Sequence, residues 1–267
     1  MAQQVAPPTL PPAAYELAAR YQLGPPMAEY QRWFQPRELI GSAALILVGL
    51  FFVFGSLFTT SPDGPLGFLI VGLIFIAAGL IWPLIFLLNF SHRVYVCAEG
   101  LIQVRGSKAD VVRWDQVESF LQAVTRRTTR AYGIPVARFT SHIYTVRRMD
   151  GTKLTFKDGL RNVENLGNTI ARATAHRLTP RAIAAYNSGA PVAFGNLSIS
   201  QQGISMGQKL LPWSEYQGYQ IKNGAVSIRQ QGKKLNWATL PVRRFPNLLV
   251  FVALMDYIHS SQGRTAR

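Results

Sequence analysis

A chain of 267 residues that is 48% hydrophobic, only 15% charged and formally +15 at neutral pH does not have the make-up of an average soluble enzyme. Its charge is unevenly placed: residues 39–90 contain no Lys or Arg and a single acid, Asp63, which points that block toward a membrane. The one cysteine, Cys97, excludes an intramolecular disulfide and any multi-cysteine zinc or iron–sulfur site, and it suits a reducing compartment.

Residues 1–38 read as an N-terminal arm. The opening is Pro-rich and lacks a charged start followed by an apolar run, so no signal peptide is predicted. Ala13 to Leu23 has helical spacing, with Ala14, Leu17, Ala18 and Tyr21 on one face, and Gly24-Pro25-Pro26 ends it. That face, with Tyr30, Trp33 and Phe34, either lies at lipid headgroup level or packs against the rest of the chain.

Residues 39–90 read as a two-helix transmembrane hairpin. Leu39 to Phe58 has about the 20 residues that a helix needs to cross roughly 30 Å of hydrocarbon, and 13 of them are Leu, Ile, Val or Phe. Leu66 to Phe90 is longer and holds Pro83 near its end. Thr59 to Pro65 suits a tight turn between them. Ser42, Gly49 and Ser56 recur every seven residues, as do Gly72 and Gly79, which suits close helix approach as well as the general frequency of glycine in membrane helices. The tail from Ser91 onward holds 25 Lys and Arg against 9 acids, a charge of +16. The expected location is therefore the inner (plasma) membrane, multi-pass, with both termini cytoplasmic.

Period-two alternation begins after residue 90. Val94 and Val96, then Leu101, Ile102 and Val104 across Glu99-Gly100, form a hairpin signature. Further strands are predicted over Val117–Thr125, Ile143–Arg147 and Lys153–Phe156, the last two joined through Asp150-Gly151. Asn162 to Arg177 then has helical spacing. The plan repeats: VYVCAEGLIQV before Trp114 is matched by LSISQQGISMG before Trp213, and Gly151–Phe156 by Gly232–Trp237. The closing helix is matched by Asn247–His259. The predicted organisation is a first domain over 91–177, a linking helix over 178–189 started by Thr179-Pro180, a second domain over 190–260 and a disordered tail over 261–267.

The order of apolar strand, Gly turn, strand, Trp, more strands and amphipathic helix resembles the pleckstrin-homology-like fold of bacterial membrane proteins. With the two apolar runs and with Phe194-Gly195-Asn196-Leu197, Leu211-Pro212-Trp213 and Pro246-Asn247, residues 14–260 resemble a bacterial domain-of-unknown-function family of this layout. The resemblance implies a membrane-anchored α+β fold in which the transmembrane hairpin precedes two pleckstrin-homology-like units, each of antiparallel strands plus a C-terminal helix. Its motifs are structural and bring no catalytic residue.

His92, His142, His176 and His259 are far apart, and none stands at metal-ligand spacing from another His or from Cys97. No phosphate-cradling loop, nucleophile elbow or kinase signature is present. The expectation is a protein that is not an enzyme, with no catalytic residue, metal or cofactor. From Trp114 to Gly151 is 37 positions, against 19 from Trp213 to Gly232, and the surplus carries Arg126, Arg127, Arg130 and Arg138. With Arg147 and Arg148 they form the candidate binding site, for anionic phospholipid headgroups of the bilayer or for an acidic protein. The expected function is a membrane-anchored, cytoplasmic-facing binding or scaffold protein. Nucleic-acid binding, suggested by the charge, ranks low because aromatics are only loosely interleaved with the basic residues. An enzyme with a site assembled from remote residues is the other alternative.

Overall fold

The computed structural model describes residues 11–32, 36–58, 64–88, 92–131 and 134–265. The chain begins with α1 (Pro12–Arg20), started by a proline whose missing N–H is not needed in a first turn. Ala14 and Ala18 are four apart and share a face; with Leu23 they are buried against Tyr95, Cys97 and Ile102. The face therefore packs on the sheet. Trp33 and Phe34 lie outside the described residues.

β1 (Pro26–Gln31) pairs antiparallel with β2 (Arg93–Cys97), Tyr30 opposite Val94, even though the apolar block lies between them in sequence. β3 (Gly100–Arg105) and β4 (Lys108–Arg113) complete a sheet of order β1-β2-β3-β4. A 3-10 turn at Trp114–Gln116 leads into a second sheet, β5 (Val117–Ala131), β6 (Ile134–Arg148) and β7 (Lys153–Lys157). α4 (Val163–Asn187) closes the unit, burying Leu166 and Ile170 beside Val96, Leu101, Phe120 and Phe156. Gly167 is required on α4 because the Tyr144 ring lies against its backbone, leaving no room for a Cβ.

The same order follows again. β8 (Val192–Phe194), β9 (Leu197–Ser200), β10 (Gly203–Met206) and β11 (Lys209–Pro212) form one sheet. β12 (Tyr216–Lys222), β13 (Ala225–Gln230) and β14 (Asn236–Pro241) form the next, and α5 (Leu248–Thr265) closes the unit. The two tryptophans serve both units alike. Trp114 Nε1 donates to the Ala98 carbonyl at 3.1 Å and Trp213 Nε1 to that of Ser200 at 3.0 Å, each tying its 3-10 turn to the hairpin before it. The second core centres on Phe251, whose ring meets those of Phe245 and Phe194 edge-on at 5.0 and 5.5 Å.

The structure relocates three expected boundaries. β8 is the counterpart of β1, so residues 26–31 belong to the first unit and not to a separate arm. The apolar block is then an insertion between the first two strands of that unit, where the second unit has only the Gly195-Asn196 turn. α4 runs unbroken through Pro180, and its far end buries Ala182 in the second core, so residues 178–187 continue α4 instead of forming a separate linking helix. α5 likewise extends to Thr265, into the segment expected to be a disordered tail.

The inserted block forms α2 (Pro36–Ser56) and α3 (Gly64–Leu88), packed along each other. Their small residues meet face to face: a Cβ at Gly49 or at Gly72 would lie 2.7 Å from the other's carbonyl oxygen, and one at Gly79 3.0 Å from that of Ser42. The fold class nevertheless differs from expectation. It is α+β, with four small antiparallel sheets and five helices among the described residues, and no clear two-helix transmembrane hairpin leads it. One helix there, Pro65–Ile85, is long and apolar enough to cross a membrane, a test that the core helix of a soluble protein also passes. The described apolar part of α2, Ile40–Ser56, is shorter. At 1.5 Å per residue that part spans about 25 Å, against roughly 30 Å of hydrocarbon. The expected turn at residues 59–63 lies outside the described residues.

Leucine at position 72 would push α2 and α3 apart, since packed interfaces accept no added volume without shifts. Oxidative cross-linking of Phe52→Cys to Phe75→Cys, whose native rings stack at 6.0 Å, is expected to fall severalfold when Gly72→Leu is added. Unchanged cross-linking would mean that the glycine contact does not hold the pair.

Candidate functional site

Two insertions distinguish the first unit from the second, the helical pair and the long β5–β6 hairpin. β7 pairs only with Ile143–Arg147, so residues 124–131 and 134–142 continue past the sheet as a two-stranded ribbon about 25 Å long. The ribbon leaves at the Lys157 end of β7, since Lys157 is paired with Ile143. Three residues later Leu160 forms a bridge with Arg32, four residues before α2 begins. Ribbon and helical pair thus rise from the same end of the unit.

The six predicted binding arginines separate into two groups along this hairpin. In the distal half, Arg126 stands opposite Thr140, Arg127 opposite Phe139, Thr128 opposite Arg138 and Arg130 opposite Pro135; the side chains of these four arginines lie outside the described residues. Arg147 and Arg148 sit at the other end, opposite Ser119 and Val117. Each is engaged internally, Arg147 Nε with Glu118 Oε2 at 3.0 Å and Arg148 Nη2 with Asp150 Oδ2 at 3.0 Å. From Arg148 to Arg138 along β6 is about 34 Å, so the six do not make one site.

A different polar cluster, not singled out in the sequence, lies at the root of the helices. β2 and β3 bring His92, Gln103 and Arg105 together beneath Arg32, whose N–H donates to the His92 carbonyl at 3.1 Å. Gln103 is buried. With its amide oxygen turned toward them, it accepts from His92 Nε2 at 2.6 Å and from Arg105 Nη2 at 2.8 Å. Beside it, Arg93 pairs with Glu29 across β1 and β2 at 3.0 Å. Burial, reinforced by the Arg105 and Arg32 guanidinium groups, lowers His92 from 6.5 to about 4. A neutral imidazole that keeps its proton on Nε2 fits the acceptor supplied by Gln103. Arg32 and His92 each stand four residues from an end of the helical pair, which begins at Pro36 and ends at Leu88.

A second histidine, His142, stands where the ribbon leaves the sheet. Its N–H donates to Asp158 Oδ1 at 3.0 Å, its Nδ1 lies 2.9 Å from the same oxygen, and its Nε2 is 4.0 Å from Glu164 Oε2. The ring lies against Tyr144. Asp158 follows β7 and Glu164 opens α4, so the arrangement fastens β6 to both. Among the described residues no group of three or more His, Cys, Asp or Glu side chains is placed to hold a metal ion. Cys97 is buried on β2, and burial pushes its thiol up to about 11, which makes it a packing group.

The structure therefore defines an α+β protein of two like units, with an apolar helical pair set into the first sheet and a basic ribbon beside it. The sequence profile of a family of unknown function, DUF6585, matches residues 1–264, and the chain belongs to that family. No curated protein and no solved structure matches it.

A lowered His92 means that the folded chain binds fewer protons than the unfolded chain between pH about 6.5 and about 4, so stability present above that window is lost as pH falls through it. Denaturant midpoints measured across the window are expected to fall less steeply for His92→Gln than for the native chain; parallel slopes would remove the assignment. Asp158→Ala should cost about 1–2 kcal/mol at neutral pH, read from the same midpoints, through loss of its bonds to His142.

Proposed function

We propose that this protein is a membrane-attached binding protein whose basic ribbon engages anionic phospholipid headgroups next to its own point of attachment. The observation that carries the reading is the shared end of the first unit, from which both the apolar pair and the arginine-bearing ribbon emerge. Large apolar side chains on the helices point outward: Phe51 is 74% exposed, Phe54 65%, Leu66 67% and Ile74 62%, and a contiguous surface of this kind calls for hydrocarbon or a partner. Because β1 and β2 are paired, the two ends of the helical pair lie on one side of whatever it enters. The excess of basic over acidic residues in the tail supports the cytoplasmic face of a bacterial inner membrane for that side. The strand-and-helix order of each unit supports a likeness to pleckstrin-homology modules, used here as a rigid base for the ribbon.

The attachment and the lipid contact can be tested separately. Replacing residues 36–88 with a Gly-Asn turn, as between β8 and β9, should turn a chain that stays with membranes at alkaline pH into a soluble one that keeps its circular dichroism. A native chain released by alkali would sink the attachment. The shortened protein should float with vesicles containing phosphatidylglycerol, and the triple change of Arg126, Arg127 and Arg130 to Ala should weaken binding by about 3 kcal/mol, roughly a hundredfold, at about 1 kcal/mol per arginine. Equal flotation of both forms would discard the ribbon as the lipid-binding element.

A further inference from the structure

Part of the joint between the two units is made by one residue at the mouth of a helix. Asn247, which precedes α5 with φ +54°, lies along the outer edge of β5. Its N–H donates to the Phe120 carbonyl at 2.9 Å, its Oδ1 accepts from the Phe120 N–H at 2.9 Å, and its Nδ2 donates to the Glu118 carbonyl at 3.3 Å. An asparagine thus pairs with the strand edge through backbone and side chain together, as a further strand would.

Both halves of this joint occur a second time. Asn162 precedes α4 as Asn247 precedes α5, with the same φ of +54°, and each carbonyl accepts from the residue four places on, Leu166 and Phe251. Yet Asn162 is exposed and its side chain makes no bond to cap α4. On the receiving side, counting from Trp114 and Trp213, Phe120 corresponds to Tyr219 and Glu118 to Gln217. The registers agree in detail: β5 and β12 are both irregular one step after the 3-10 turn, between Val117 and Ser119 and between Tyr216 and Gly218. Phe120 then faces Val146 as Tyr219 faces Ile228. The Tyr219 N–H and carbonyl therefore point away from β13, as those of Phe120 point away from β6, and among the described residues no second strand pairs with that edge of β12.

We propose that the partner of the open β12 edge is the Asn162 corner of a second copy of this chain, which continues between molecules the joint already made within one. The contact is head-to-tail: each copy offers Asn162 and receives at Tyr219, so the association builds an open row instead of a closed pair. It is also weaker than the joint it copies. Within the chain, Leu248 and Leu249 border the same cleft as Ala171 and Ala175; between copies the corresponding positions are Val163 and Glu164 against Asp256 and Ser260. Loss of that apolar contact makes assembly reversible and dependent on concentration, which confinement of the chains to one surface would raise. The inference does not require the lipid-binding reading.

Its test uses the full-length chain in detergent. Asn162→Cys and Gln217→Cys are made as separate single variants and oxidised alone and mixed. Cross-linked dimers are expected in the mixture and not from either variant alone; no dimer in the mixture, or as much from each alone, overturns the proposal. Asn162→Gly retains the left-handed backbone but lacks the amide, so the helix start is kept while two of three bonds are removed. It should reduce the concentration-dependent mass seen in sedimentation about tenfold with its circular dichroism unchanged, as expected for loss of about two hydrogen bonds. Assembly that persists undiminished in Asn162→Gly overturns the proposal as well.

Discussion

The pairing of β1 with β2 is the constraint on which the architecture of the first unit depends. Two strands adjacent in a sheet stand about 4.8 Å apart, and these two are the points at which the chain leaves for α2 and returns from α3. The helices are thereby held side by side at their base, antiparallel, with Gly49, Gly72 and Gly79 in register to let the backbones close on each other. The same pairing draws Arg32 over His92 and sets both above Gln103 and Arg105. The apolar helical pair and the polar root are consequences of one ladder of backbone hydrogen bonds.

Around that ladder the chain is a duplication in which the copies have taken different parts. Both retain the tryptophan that ties the 3-10 turn to the preceding hairpin and the asparagine in left-handed conformation that starts the closing helix. The first copy carries both insertions, and both emerge from one end. The second has short turns in their place: Gly195-Asn196 between β8 and β9, and Asn223-Gly224 between β12 and β13, where positive φ at both residues matches the twist of the strands. One unit is elaborated toward an outside surface, and the other remains close to the bare fold, with one strand edge unused.

Much of the second unit was legible because its signals are local. Period-two alternation, the turn glycines and the apolar face of α5 each report on neighbouring residues, and repetition in the first unit reinforced them. The site was less legible. Arg126, Arg127, Arg130 and Arg138 could be recognised as an insertion by counting from the tryptophans. That Arg147 and Arg148 are instead committed to Glu118 and Asp150 follows from cross-strand register, which a linear count of basic residues does not contain. The His92 and His142 clusters were invisible for the same reason: their partners Gln103, Arg105, Asp158 and Glu164 come from other strands or from the start of α4.

What the amino-acid sequence determined by itself is the content of each local segment: where alternation makes strands, where an uncharged block makes helices, and that the plan occurs twice. Those are short-range preferences of backbone and side chain, and they survive without knowledge of the neighbours. Only the tertiary structure decided that residues 26–31 complete the first sheet, that α4 continues through Pro180 into the second core, and that Asn247 closes the joint while Asn162 stays exposed. Each of these rests on hydrogen bonds or burial between residues far apart in the chain, and such contacts are set by how sheets and helices stack.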